Sequence, residues 1–273
     1  MPDRDPACSK KTQRNVPSML IDTHCHLDFK NFDEDRSEVI TRSKEQGIEF
    51  IINVGSSMEG TKRSLELAEK HEFIYAAAGI HPHDADHAGD EDLESFRRFF
   101  ESKKVVAVGE IGLDYYKNIS SKENQKKLFI KLLREAKERE LPIIIHNRDA
   151  HKDTLAILRK EIGKSIKGVM HCFSGDEALL RECLDLGMHV SFTCNLTFKN
   201  AGRLRDIARL VPMERLLLET DAPFLAPQEF RGKRNEPMYV KYLAEEIANI
   251  KGLDFKEVAK ITTENAKRLF GLC

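Results

Sequence analysis

Six side chains able to bind a divalent metal lie between residues 24 and 221, each at the carboxyl end of an apolar, β-rich run. His24 and His26 follow Ile21-Asp22-Thr23, Glu110 follows Val105-Val106-Ala107-Val108-Gly109, and His146 follows Ile143-Ile144-Ile145. His171 follows Lys167-Gly168-Val169-Met170, and Asp221 closes Leu216-Leu217-Leu218-Glu219-Thr220. Imidazoles and carboxylates together suit two borderline or hard dications such as Mg²⁺, Mn²⁺ or Zn²⁺. Such ions activate water and polarise esters, so the chemistry implied is hydrolysis.

On a strand, alternate side chains share a face. Asp22, His24 and His26 are therefore expected to point toward one axis, the histidines gripping a metal and Asp22 orienting a neighbouring imidazole. Glu110 has two oxygens and is able to bridge two ions, although an isolated glutamate after a strand reads equally as an ion-pair partner. Arg148 leaves the same strand end as His146 and has the fork for bidentate phosphate recognition; a lone arginine is also an ordinary surface residue. His81, in Gly79-Ile80-His81-Pro82-His83, reads as a substrate contact, an extra ligand or a structural histidine. Glu219 and Asp221 are expected on one face, a costly pairing unless a cation compensates it. His71, His87, His151 and His189 read as structural or solvated, and Cys25 and Cys172 as small core residues.

Residues so far apart in sequence can meet where loops after parallel strands converge. Strand patterns cover 19–23, 50–54, 73–79, 105–109, 142–146, 167–171, 188–192 and 215–219. Helical patterns fill 34–46, 59–70, 91–102, 121–140, 150–162, 176–186, 199–209 and 236–250, with one or two more helices between Asp254 and Phe270. The clearest helix carries Leu128, Leu132, Ala136 and Arg139 at three- to four-residue spacing and ends before Pro142. Strands apolar on both faces belong in a helix-covered sheet, and eight strict repeats predict an α/β fold, a single (β/α)₈ TIM barrel over 19–273. Residues 1–18 are polar and proline-containing, and are expected to form a disordered leader.

A net charge of −1 excludes a generally basic nucleic-acid coat protein, so a polyanionic substrate has to be held locally by metals and a few basic side chains. The six cysteines form no C-x-x-C pair, which fits a reduced, cytoplasmic compartment. No apolar run is long enough to cross a bilayer, and no feature of the chain points to an obligate protein partner.

Taken together, DTHCHLD at 22–28, GIHPH at 79–83, GEIGLDYY at 109–116, HNRDA at 146–150, HCFSG at 171–175, ETDAPFLAP at 219–227 and RGKRNEP at 231–237 resemble the TatD family of metal-dependent deoxyribonucleases, within the amidohydrolase-like barrels. The resemblance implies one metal on His24, His26, Glu110 and Asp221, and a second on Glu110, His146 and His171, with Glu110 bridging. It also implies phosphodiester hydrolysis of DNA, single-stranded or at 3′ ends, by a metal-activated hydroxide, with Asp221 and Glu110 as catalytic groups and Arg148 and His81 as substrate contacts. Glutamate at the fourth strand end, where many related barrels carry a carbamylated lysine, points to the TatD branch. Asn195, in a stretch where relatives commonly have glycines, implies an altered substrate contact. Two other readings remain: hydrolysis of an ester such as D-aminoacyl-tRNA at the same site, and a non-catalytic binding scaffold, against which the intact ligand set argues.

Overall fold

The computed structural model describes residues 19–273; the leader expected over 1–18 lies outside the described residues. Eight strands run in parallel in sequence order: β1 Leu20–Cys25, β2 Ile48–Val54, β3 Ile74–Ala78, β4 Val105–Asp114, β5 Ile143–Arg148, β6 Gly168–Met170, β7 His189–Phe192 and β8 Leu216–Leu218. Between and after them come α1 Arg36–Glu45, α2 Met58–Lys70, α3 Asp90–Phe96, α4 Lys122–Glu138, α5 His151–Glu161, α6 Glu177–Asp185, α7 Gly202–Leu210, α8 Val240–Lys251 and α9 Phe255–Phe270. Where one or two C-terminal helices were expected, there is one, closed by Gly271 in the left-handed conformation.

The first and last strands meet without a regular ladder, so the barrel is nearly closed. Thr23 Oγ1 donates to the Leu218 carbonyl at 3.0 Å, and Cys25 forms an isolated parallel bridge with Ala222. The Asp221 N–H donates to the His24 carbonyl, and the His26 N–H to the Ala222 carbonyl. Asp22 completes this seam: its buried carboxylate accepts from the Thr220 N–H at 2.9 Å and the Thr220 hydroxyl at 2.6 Å. This corrects the expectation that Asp22 orients an imidazole. Leu20 and Cys25 both lie in the layer between strands and helices, whereas Ile21 lies inside the barrel. Outward residues five apart break the two-residue alternation, and the register shift between Asp22 and Cys25 supplies the break.

β4 extends five residues beyond its expected end. Ile111, Gly112, Leu113 and Asp114 pair with Ile145, His146, Asn147 and Arg148. Gly112 permits this approach, because its φ of +145° disfavours L side chains and a Cβ there would run into the His146 carbonyl.

The apolar content divides in two. Ile21, Ile52, Ala77, Ile144, Val169 and Leu217 fill the barrel, and Leu269 and Phe270 of α9 join them. Asn265 of α9 donates to the carbonyls of Met213 and Leu216, at the amino-terminal end of β8. The bottom of the barrel is thus plugged by a helix, and the carboxyl end is left for chemistry. Among the described residues, no helix is long and apolar enough to cross a membrane.

Candidate metal centre

Loops and strand ends bring all six expected ligands to one place. His24 Nε2 and His26 Nε2 lie 3.2 Å apart, facing each other. Glu110 Oε2 is 3.6 Å from the first and 3.9 Å from the second, and Asp221 Oδ1 is 3.8 and 3.5 Å from them. An ion held at about 2.1 Å by four tetrahedral ligands sets those ligands about 3.4 Å apart. The five separations given, 3.2–3.9 Å, lie close to that spacing. His26 donates through Nδ1 to the Val54 carbonyl at 2.7 Å, which leaves the Nε2 lone pair directed into the group. His24 Nδ1 is buried without a hydrogen-bond partner, and Asp221 reaches the cluster from a left-handed residue just beyond β8, with φ of +56°.

The other oxygen of Glu110 has different neighbours. Oε1 lies 2.7 Å from His146 Nδ1 and 2.8 Å from His171 Nε2. His81 Nε2 stands at 3.7 Å from it and 3.4 Å from His146 Nδ1. Among the described residues, three groups of potential ligands result, each with its donor atoms within 4.8 Å of one another: His24–His26–Asp221, His24–His171–Glu219 and His81–Glu110–His146.

The electrostatics suit a cation. Burial works against charge on Glu110, but His171, His81 and His146 hold its carboxyl well below the ordinary range. Burial also disfavours charge on His26, yet Asp221 and Glu110 push it up to about 9. Carboxylates that retain a proton on an imidazole so strongly present the same negative field to a dication, which competes for that position.

A family model described as "TatD related DNase" matches residues 21–271. The chain belongs to the TatD family. It is 49% identical over 252 residues to "Uncharacterized metal-dependent hydrolase YabD" of Bacillus subtilis (strain 168), covering 92% of this chain and 99% of that one. It is 36% identical over 259 residues to "3'-5' ssDNA/RNA exonuclease TatD" of Pantoea ananatis, covering 93% and 100%. The crystal structure of YJJV, a TatD homolog from Escherichia coli K12, superposes with a TM-score of 0.87 at 33% identity, covering 93% and 98%. The protein is therefore a metal-dependent hydrolase with the TatD barrel.

Other residues of this TatD site fall differently from expectation. Arg148 is exposed, with its guanidinium 4.0 Å above the Tyr116 ring and no ion pair among the described residues. Glu219 and Asp221 do not act as a pair on one strand face, since β8 ends at Leu218. Glu219 instead backs His171: Oε1 lies 3.3 Å from His171 Nδ1 and accepts the Cys172 N–H, while Oε2 accepts from Ser191. Asp114 was not singled out from the sequence, yet its Oδ2 lies 3.1 Å from His146 Nε2 and 3.0 Å from His83 Nε2. The signal was its spacing, two and four residues beyond Gly112 and Glu110, hidden while the strand was read as ending at 109. Asn195 stands beyond β7 with its Oδ1 buried and unpartnered.

Proposed function

We propose that the protein is a divalent-metal-dependent nuclease that hydrolyses phosphodiester bonds of single-stranded DNA at a dinuclear centre. The observation that carries this reading is the division of Glu110, whose Oε2 faces His24 and His26 while Oε1 faces His146 and His171. His24, His26, Asp221 and Glu110 would hold one ion, and Glu110, His146 and His171 the other. Bound Mg²⁺, Mn²⁺ or Zn²⁺ would activate water and offset charge on the phosphoryl oxygens. The name of the 36%-identical exonuclease relative supports nucleic acid as the substrate.

The chain's own groups divide the remaining work. Asp221 keeps 16% side-chain exposure at the rim and is placed to accept the proton of an attacking water. His81 accepts the His83 N–H at Nδ1, 3.2 Å away, so its proton resides on Nε2, on the side of Glu110 and His146. That N–H is a donor for a phosphate oxygen. Arg148 is exposed, with its guanidinium carbon 4.0 Å from the Tyr116 ring centroid, and a guanidinium recognises phosphate through its edge.

The test is hydrolysis of an end-labelled single-stranded oligonucleotide beside D-aminoacyl-tRNA. Chelation should abolish oligonucleotide cleavage, and Mg²⁺, Mn²⁺ or Zn²⁺ should restore it to different extents, because mixed imidazole–carboxylate sites do not select one ion strictly. Undiminished cleavage by metal-free protein, or turnover of the charged tRNA in place of DNA, would sink this reading.

A further inference from the structure

Five large apolar side chains are exposed among the described residues, and the two aromatic ones, Tyr116 at 60% and Phe224 at 51%, both stand at the mouth. Tyr116 stands just beyond β4 and Phe224 beyond β8, strands half the barrel's circumference apart. Tyr116 follows Asp114, which pairs in register with Arg148 and touches His146 Nε2. Phe224 is reached from His26 through one intervening ring: Phe29 stacks on His26 with centroids 4.6 Å apart, and Phe224 meets Phe29 edge-on at 6.0 Å.

Both rings stand on ordered backbone. The Tyr115 N–H donates to the Arg148 carbonyl at 2.9 Å, fixing the chain just before Tyr116. The Phe224 N–H donates to the Asp221 carbonyl at 2.9 Å, and the Phe224 carbonyl accepts from Asn235 Nδ2 at 2.7 Å. The loop that presents Phe224 is therefore the loop that presents the ligand Asp221. Tyr116 has the Arg148 guanidinium over its ring at 4.0 Å and Lys117 Nζ at 6.0 Å, a cationic surrounding without a carboxylate partner for Arg148. Exposed, pre-positioned rings, one of them here beside cations, are what single-stranded nucleic acid uses, because every base has a face to stack and every phosphate a charge.

We propose that Tyr116, backed by Arg148, and Phe224 are base-stacking platforms that receive the nucleosides on either side of the phosphate placed at the ligand cluster. The proposal rests on the nuclease reading above and adds how the strand is gripped: by its bases on two rings, and not by a global positive field. Duplex DNA, with its bases already stacked on one another, would be a poor ligand. An unpaired end or an unstructured strand would be a good one.

Binding of a fluorescent, hydrolysis-resistant phosphorothioate octanucleotide in Mn²⁺ tests this with the full-length protein. Tyr116→Ala and Phe224→Ala should each weaken binding on the order of ten-fold. Tyr116→Phe should stay near wild type, since it keeps the ring. With an abasic strand of equal length, which loses both stacks, wild type should bind more weakly than either alanine variant binds the intact strand, and the substitutions should change nothing further. Thermal melting should be unaffected in all three, because both rings are exposed. Unchanged affinity for the intact strand, or equal losses on intact and abasic strands, would overturn the proposal. Base-dependent binding without cleavage of the ordinary phosphodiester strand would leave the platforms standing and remove the nuclease reading. Cleavage without base-dependent binding would do the reverse.

Discussion

The two oxygens of Glu110 have different neighbours, which makes the effect of its charge measurable. Glu110→Gln preserves shape and one carbonyl oxygen but removes the charge that would offset two dications. Elemental analysis after dialysis should then show both metals weakened, with turnover reduced on the order of 10³-fold. His171→Ala should chiefly empty the site on the Oε1 side, because His24, His26 and Asp221 remain for the other. Arg148 makes a separate case, since it touches none of the ligands. Arg148→Ala should raise the KM for oligonucleotide cleavage while metal content stays at the wild-type level. Arg148→Lys should recover part of the loss, because an ammonium supplies charge but neither the bidentate edge nor the flat face against Tyr116. Wild-type kinetics in Arg148→Ala would make it a surface residue.

At the scale of strands and loops, the seam between β8 and β1 is held partly by side chains, and Asp22 is its test. Asp22→Ala leaves the buried Thr220 N–H and hydroxyl without their acceptor. Chemical denaturation should show a loss of about 1–3 kcal/mol, and Asp22→Asn, which retains an acceptor oxygen, should lose less. If Asp22→Ala melted like wild type, the seam would not depend on this side chain. The same segment shows what sequence could and could not reveal. Runs such as Ile143-Ile144-Ile145, apolar on both faces, made the strands legible, and each candidate ligand was legible because it stands at or just beyond the end of such a run. Asp22 was misplaced because a register shift is a tertiary event that leaves no mark on alternation. Asp114 was missed because the strand was read as ending at 109, whereas it continues past Gly112, whose backbone passes close to β5. The stacking of Arg148 on Tyr116 joins the ends of two strands, and no local pattern announces it.

Across the whole barrel, the candidate ligands gather at one end and α9 closes the other, so activity and stability should respond separately to mutation and to pH. His189 is buried at the start of β7. Burial, with Arg215 and Arg268 nearby, brings its pKa down to about 4. The unfolded chain takes up a proton near pH 6.5 that the folded protein refuses, so the stabilisation is complete above pH 6.5 and declines as the pH falls toward 4. His189→Gln should flatten that limb of the stability profile, by roughly 2–3 kcal/mol at most, without altering metal content at the mouth. An unchanged acid limb would mean that other groups set it. Two ions joined by one carboxylate would be seen in diffraction near the manganese absorption edge from crystals soaked in Mn²⁺. Two anomalous peaks are expected on either side of Glu110, one bonded to His24, His26 and Asp221 and the other to His146 and His171. A single peak, or two peaks of which Glu110 touches at most one, would contradict that bridge.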